Sequence, residues 1–74
     1  MDERMMELVA MGASAAVNCR PCMEHHLEKC DELGIPREDV VGAVQMGMMV
    51  NRGAANSSRK YVEELLGSDV LELV

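Results

Sequence analysis

The segment NCRPCMEHH, residues 18–26, decides where one predicted helix ends and the next begins. Asn18 tolerates the left-handed backbone conformation that ends a helix. Pro21 suits the first turn of the following helix, because a residue there needs no amide partner. We therefore predict a tight turn at Asn18 and place both cysteines, Cys19 and Cys22, at the start of the second helix.

Helical periodicity extends on both sides of this turn. Upstream, Asp2 can cap a first helix in which apolar or small residues recur at three- and four-residue intervals as far as Val17. Downstream, the second helix is predicted to run to about Leu33, where Gly34 supplies a left-handed stop. Pro36 then opens a third helix.

The third helix keeps its apolar spacing to about Asn51. The stretch NRGAANSS, residues 51–58, lacks large apolar side chains and contains several turn formers. We therefore predict a break or a kink near Arg52 and Gly53, followed by a fourth helix over residues 54–66.

The C-terminal segment and the absence of strand patterns complete the fold prediction. Gly67 is predicted to end the fourth helix. The segment SDVLELV, residues 68–74, is interpreted as an apolar tail that forms a last turn or docks on a neighbour. The chain contains no strand pattern, internal repeat or low-complexity segment. The prediction is one all-α domain, residues 1–74, with three to five helices.

The length and composition of the chain predict self-association. With 74 residues, the chain lies near the lower limit at which a lone domain buries enough apolar surface to fold. Three cysteines are an odd number and do not form a disulfide framework. Apolar residues make up 49% of the chain, but Tyr61 is the only aromatic and eight residues are Met, which favours tightly packed helices. Contacts between copies are the expected source of additional stability.

Charge and hydropathy exclude several classes of partner. The net charge of −6 and the lack of a basic run argue against nucleic-acid binding. The N-terminus has charges of both signs and no cleavage pattern, and the longest uncharged runs have 12 residues. Neither a signal peptide nor a membrane-spanning helix is expected. A cysteine pair without an export signal makes the reducing cytoplasm the expected compartment.

The two cysteines are candidates for redox chemistry. A thiol reacts as a thiolate, and its pKa falls at a helix N-terminus, where free amides and the helix dipole favour negative charge. A spacing of three puts the sulfurs of Cys19 and Cys22 on one side of the helix, close enough to form a disulfide. One thiol can attack an oxidant and the other can resolve the product.

A histidine and a glutamate are candidates for activating this dithiol. His26 lies four residues after Cys22, on the same helix face and one turn away, whereas His25 is offset. An imidazole beside a thiol can accept its proton or stabilise the thiolate. Glu7, a carboxylate in the first helix, is the candidate for orienting the His26 imidazole.

The arrangement resembles a known pattern. A glutamate, eleven intervening residues, Cys-x-x-Cys-x-x-x-His and a Gly-Ile-Pro turn into a helix are similar to the carboxymuconolactone decarboxylase and alkylhydroperoxidase D-like superfamily. Glu7, Cys19, Cys22 and His26 match its motif position by position. The resemblance covers roughly residues 3–55 and includes the stretch LGIPREDVVGAVQMGMMVNRGAA.

The resemblance implies a fold, an assembly and an activity. It implies a compact all-helical unit that assembles into trimers or hexamers. Members with the dithiol look like peroxidases or thiol oxidoreductases that reduce hydroperoxides and are restored by an external thiol or dithiol donor. By this resemblance Cys22 is the nucleophile, Cys19 is the resolving thiol, and His26 with Glu7 forms a proton relay through a water. No cofactor and no metal are predicted.

Two alternatives remain open at the level of sequence. Cys19, Cys22, either His25 or His26, and Cys30 offer four ligands for tetrahedral zinc, as in a zinc-binding helical interaction module. These ligands all follow one another on a single helix, so they could enclose an ion only with distortion. The other alternative is a decarboxylase or lyase on the same scaffold. The decarboxylases proper of the family generally lack the dithiol, which argues against that activity.

Four further features have a plainer interpretation. Cys30 lies two turns after Cys22 and is interpreted as a buried helix thiol. His25 is interpreted as a polar surface or interface residue. Arg52 is interpreted as a solvated helix end, with binding of an anionic substrate as the alternative. The cluster interpreted as core or oligomer interface consists of Met46, Met48 and Met49.

Overall fold

The computed structural model of the chain describes residues 1–69, which form three α-helices. Helix α1 spans Glu3–Ala16, α2 spans Arg20–Glu32 and α3 spans Arg37–Leu66. No strand occurs within residues 1–69. The all-α class is confirmed, and the number of helices lies at the lower limit of the predicted range.

The first helix begins and ends where its sequence predicts. The Asp2 side chain accepts a hydrogen bond from the Met5 amide at 2.8 Å and so caps α1. Asn18 adopts a φ of 57°, the left-handed conformation predicted for the turn. Cys19 is the N-cap of α2, and Pro21 lies in the first turn of that helix.

The turn between α2 and α3 also follows the prediction. Gly34 has a φ of 67°, and the Ile35 amide donates to the Cys30 carbonyl at 3.0 Å. This places the Ile35 side chain in the core, where it is 6% exposed. Pro36 is the N-cap of α3.

The predicted break near Arg52 and Gly53 is wrong. Helix α3 is continuous over 30 residues, so the separate fourth helix over residues 54–66 is also wrong. A single glycine within a helix costs only about 1 kcal/mol relative to alanine, which tertiary contacts readily offset. One such contact comes from Asn51, whose side-chain amide donates to the Ala16 carbonyl at the end of α1, at 2.9 Å.

Gly67 ends α3, at the position predicted for the end of the fourth helix. Its φ of 94° is a conformation that residues with a side chain rarely adopt. A short 3₁₀ segment follows at Ser68 and Asp69. The rest of the predicted apolar tail, residues 70–74, lies outside the described residues.

Helix α1 is central and packs against both of the others, whereas α2 and α3 touch only slightly. The backbones of α1 and α3 come into direct contact at Gly12 and Gly47. A Cβ at Gly47 would overlap the Gly12 carbonyl oxygen and lie 3.0 Å from the Ala15 Cβ. A Cβ at Gly12 would lie 2.9 Å from the Ala43 carbonyl oxygen. The small residues of α1 therefore permit α3 to approach this closely.

The buried core is small and lies among the three helices. Its apolar centre consists of Met11, Cys30, Ile35 and Val40, against which partly buried leucines and Met23 pack. The described residues include no helix long and apolar enough to cross a membrane.

An extensive apolar surface remains exposed. An open apolar groove of about 490 Å³, the α1/α3 groove, runs between these helices and is lined by residues that include Val9, Met46 and Val50. The three clustered methionines of α3 are exposed by 58%, 52% and 54%, so they do not belong to the core. The distal half of α3 is almost entirely exposed, including Tyr61 and Leu65.

We predict that Gly47→Ala destabilises the fold by about 1–3 kcal/mol, because the added methyl group forces α1 and α3 apart. The measurement is the free energy of unfolding in urea. Gly53→Ala is the matched control, because Gly53 lies on the same helix and a Cβ there meets nothing within 4 Å. The control should stabilise α3 by about 0.5–1 kcal/mol. Equal effects of the two substitutions would contradict the backbone contact.

Candidate active site

The two cysteines of the motif form a disulfide at the start of α2. Cys19 and Cys22 are bonded to each other, and their Cα atoms lie 5.2 Å apart. Cys19 is the N-cap residue, with φ −91° and ψ 96°, and Cys22 lies in the first turn. The Cys22 amide donates to the Cys19 sulfur at 3.3 Å. The predicted proximity of the two sulfurs is therefore observed.

A hydrogen bond between Glu7 and His26 joins α1 to α2. Glu7 Oε2 and His26 Nδ1 lie 2.7 Å apart, and the two side chains are 20% and 27% exposed. A carboxylate acceptor at Nδ1 favours the proton on that nitrogen and fixes the plane of the ring. The Nε2 atom then remains available to act as a base.

On α2, the His26 member of the Glu7–His26 pair lies one helical turn beyond the disulfide. His26 follows Cys22 by four residues on α2, which corresponds to a rise of about 6 Å along one face. The hydrogen bonds within residues 1–69 do not include one between His26 and either sulfur. Transfer of a proton between them thus requires a bridging molecule or movement of a side chain, as in the predicted relay through a water.

Backbone hydrogen bonds hold the turn that carries the dithiol. The Cys19 amide donates to the Ser14 carbonyl of α1 at 3.0 Å, and the Met23 amide donates to the Cys19 carbonyl at 3.0 Å. The buried Ser14 hydroxyl donates in turn to the Ala10 carbonyl at 2.6 Å. These contacts fix the position of Cys19 relative to α1.

The model of one protein family, described as the carboxymuconolactone decarboxylase family, matches residues 1–64. The chain belongs to this family. The match covers the motif and nearly the whole of α3, and it confirms the resemblance seen in the sequence. The family includes enzymes, both decarboxylases and peroxidases. Neither a curated protein nor a solved structure matches the chain significantly.

Two long-range contacts between helices were not foreseen from the sequence. The Arg4 guanidinium donates to the Leu33 carbonyl at the end of α2. The Asn51 side chain meets the Ala16 carbonyl at the end of α1. Each contact satisfies a carbonyl that a helix end leaves without a partner. Asn51 follows Gly47 by four residues on α3, and this spacing was the one available signal.

His25 is exposed, in agreement with its interpretation as a surface residue. Its ring meets the edge of the His26 ring, with centroids 5.0 Å apart and planes inclined by 72°. Arg52 is exposed as well, but it lies within α3 rather than at a helix end. It borders a shallow depression with methionines of the same helix.

The zinc alternative lacks a ligand set. No group of three or more His, Cys, Asp or Glu side chains within residues 1–69 could hold a metal ion. Cys19 and Cys22 are bonded to each other, and the third predicted sulfur ligand, Cys30, is fully buried in the core. The His26 imidazole is hydrogen-bonded to the Glu7 carboxylate.

Cys30 is a free thiol buried in the core. Its side chain is 0% exposed, which confirms its interpretation as a buried helix thiol. Burial raises the pKa of the Cys30 thiol, and the negative charges of Glu7 and Asp31 raise it further. Because the other two cysteines are bonded to each other, Cys30 is the one free thiol of the oxidised chain.

We predict that ionisation of Cys30 destabilises the fold at high pH. The folded state holds the thiol proton more tightly than the unfolded chain. The contribution of the Cys30 thiol to stability is therefore constant below pH 9.0, the ordinary pKa of cysteine, and is lost as pH rises through the raised pKa. The loss is at most about 1.4 kcal/mol per pH unit. Urea unfolding of the oxidised protein between about pH 8 and 10 measures it.

Cys30→Ala is the control for this prediction, because it removes the titrating thiol while every other ionisable group stays. The difference in unfolding free energy between wild type and variant should shrink above the ordinary pKa of cysteine. A difference that stays constant with pH would contradict a buried, protonated Cys30.

Proposed function

We propose that this member of the carboxymuconolactone decarboxylase family is a thiol-dependent peroxidase or disulfide oxidoreductase that reduces hydroperoxides. The observation that carries the proposal is the Glu7–His26 hydrogen bond, which lies one helical turn from two cysteines that form a disulfide. A reducing compartment such as the cytoplasm would supply the thiol or dithiol donor that the cycle needs.

The oxidative half of the cycle begins at Cys22. Its thiolate attacks the terminal oxygen of a hydroperoxide, so that an S–O bond forms and the O–O bond breaks. The alcohol leaves with one proton, and Cys22 becomes a sulfenic acid. The Cys19 thiolate then attacks the Cys22 sulfur, a disulfide forms, and hydroxide leaves as water after taking a proton.

The Glu7–His26 pair supports the proton transfers in this half of the cycle. With its Nδ1–H directed to Glu7, His26 presents a basic Nε2 that can take the Cys22 proton through a bridging water. The imidazolium so formed is stabilised by the Glu7 carboxylate at 2.7 Å. The same proton is then available for the departing alkoxide or hydroxide.

The reductive half of the cycle consumes two donor thiols or one dithiol. Two electrons and two protons pass to the Cys19–Cys22 disulfide, and the donor leaves as its own disulfide. The oxidised form of the chain is the form with the disulfide described above.

We predict that one equivalent of hydroperoxide removes both thiols of reduced Cys30→Ala protein, because the first oxidation at Cys22 is followed by disulfide formation. A thiol titration before and after the reaction measures this. Cys19→Ser in the same background should stop at a sulfenic acid that a dimedone probe labels. Thiols that survive the hydroperoxide would contradict the mechanism. A decarboxylation that wild type and the Cys19→Ser and Cys22→Ser variants catalyse equally well would favour a lyase instead.

We predict that Glu7→Gln and His26→Gln each lower the second-order rate of thiol loss with hydroperoxide by about a hundredfold, since each removes part of the proton relay. His25→Gln is the matched control, because it changes an exposed imidazole one position away and leaves the Glu7–His26 contact in place. The mechanism would fail if the control and the two relay variants reacted at the same rate.

The exposed apolar surface supports a homo-oligomer, which we propose to be the trimer or hexamer implied by the family. The chain exposes 5590 Å², whereas a compact monomer of 8.1 kDa exposes about 4,500 Å². The excess is comparable with the ~800 Å² that each partner of a stable interface buries. The radius of gyration of 16.1 Å also exceeds the ~11 Å of a compact domain of this size.

We predict that Met46→Lys shifts the protein to monomer, because it places a charge in the α1/α3 groove, where the wild-type side chain is 58% exposed. Sedimentation velocity measures the change. Val17→Lys is the control, since Val17 is 72% exposed at the end of α1 and does not line the groove. A monomeric wild type, or equal dissociation of both variants, would contradict association through this groove.

A further inference from the structure

The two sulfurs of the disulfide occupy unequal positions on α2. Cys19 is the N-cap, and its sulfur accepts the Cys22 amide at 3.3 Å. Pro21 has no amide proton, and the Met23 amide is bonded to the Cys19 carbonyl. The described residues show no backbone amide that donates to the Cys22 sulfur. The helix start is therefore directed at one sulfur and not at the other.

We propose that the donor thiol attacks the Cys22 sulfur and that Cys19 leaves as an N-cap thiolate. This inference rests on the proposed function and extends it by assigning the site of donor attack. Cys22 then meets both external reactants, the oxidant and the donor, whereas Cys19 bonds only to Cys22.

The N-cap position stabilises the charge that develops on the leaving sulfur. An amide hydrogen bond and the positive end of a helix both favour a thiolate over a thiol. In thiol–disulfide exchange the thiol with the lower pKa is the better leaving group. The backbone contacts of Cys19 with Ser14 and Met23 do not involve its sulfur, so they can hold this geometry in the reduced state as well.

The imidazole of His26 does not offer the Cys22 sulfur an equal stabilisation. When His26 is protonated, its positive charge is paired with the Glu7 carboxylate at 2.7 Å. The net charge of that pair is zero, so its attraction for a thiolate one turn away is weak. The Cys22 amide, which donates to the Cys19 sulfur, has no such compensating partner.

The exchange step balances in atoms and electrons. A donor thiolate forms a sulfur–sulfur bond to Cys22, and the Cys19–Cys22 bond breaks with its electron pair remaining on Cys19. A second donor thiol, or the second thiol of a dithiol, then attacks the donor sulfur of the mixed disulfide. The donor leaves as its own disulfide, and Cys22 takes up a proton.

Thiolate titration of single-cysteine variants tests the asymmetry directly. Cys22→Ser with Cys30→Ala leaves Cys19 alone and keeps the backbone amide of residue 22. Cys19→Ser with Cys30→Ala leaves Cys22 alone, and serine is itself a good N-cap, so α2 keeps its start. Absorbance of the thiolate near 240 nm should show a Cys19 ionisation constant at least about tenfold larger than that of Cys22. Equal constants, or the reverse order, would overturn the inference.

Trapping of the mixed disulfide tests the direction of attack. Oxidised Cys30→Ala protein is mixed with 2-mercaptoethanol, and the released thiol is captured at once with an excess of N-ethylmaleimide. Trypsin leaves both cysteines in one peptide because Pro21 follows Arg20, and fragmentation between them locates each adduct. We expect mercaptoethanol on Cys22 and maleimide on Cys19 in at least about fivefold excess over the reverse product. An even mixture, or an excess of the reverse product, would overturn the inference.

These measurements use no hydroperoxide, so they separate this inference from the proposed function. Selective adducts on Cys22 in a protein that does not react with hydroperoxides would disprove the peroxidase and leave the asymmetry in place. Hydroperoxide reduction combined with equal adducts on the two cysteines would support the peroxidase and overturn the asymmetry.

Discussion

The backbone contact between α1 and α3 at Gly12 and Gly47 is the constraint on which the rest of the structure depends. Because α2 and α3 touch only slightly, α1 is the common support of the whole arrangement. Its inner face must be nearly flat to let α3 approach, and its other side must hold α2 in register. With so small a core, a single added methyl group at this contact acts on all three helices at once.

Helix α1 also positions the residues of the candidate site. Glu7 projects from α1 toward His26 on α2, and Cys19 is tied to α1 through the Ser14 carbonyl. The carboxylate, the imidazole and the dithiol are thus positioned by one helix pair and one tight turn. Cys30 is fully buried in the core, and this burial raises the pKa of its thiol.

The features that the sequence predicted correctly are mostly local. Asn18 and Gly34 mark turns because their backbone angles are decided by residue type, and the short turn at Asn18 then brings Glu7 and His26 to the same side. The break near Gly53 was predicted wrongly because its local cost is small and α3 makes a contact that the sequence does not reveal. The asymmetry of the cysteines was hidden for another reason, since cysteine is not a common N-cap residue.

The disulfide joins two cysteines only three residues apart, so its formation or reduction has little effect on the stability of the fold. A cross-link that closes so short a loop restricts the unfolded chain far less than one that joins distant segments. The backbone hydrogen bonds on either side of Cys19 do not depend on it. The disulfide can therefore be formed and reduced while the helices around it keep their arrangement.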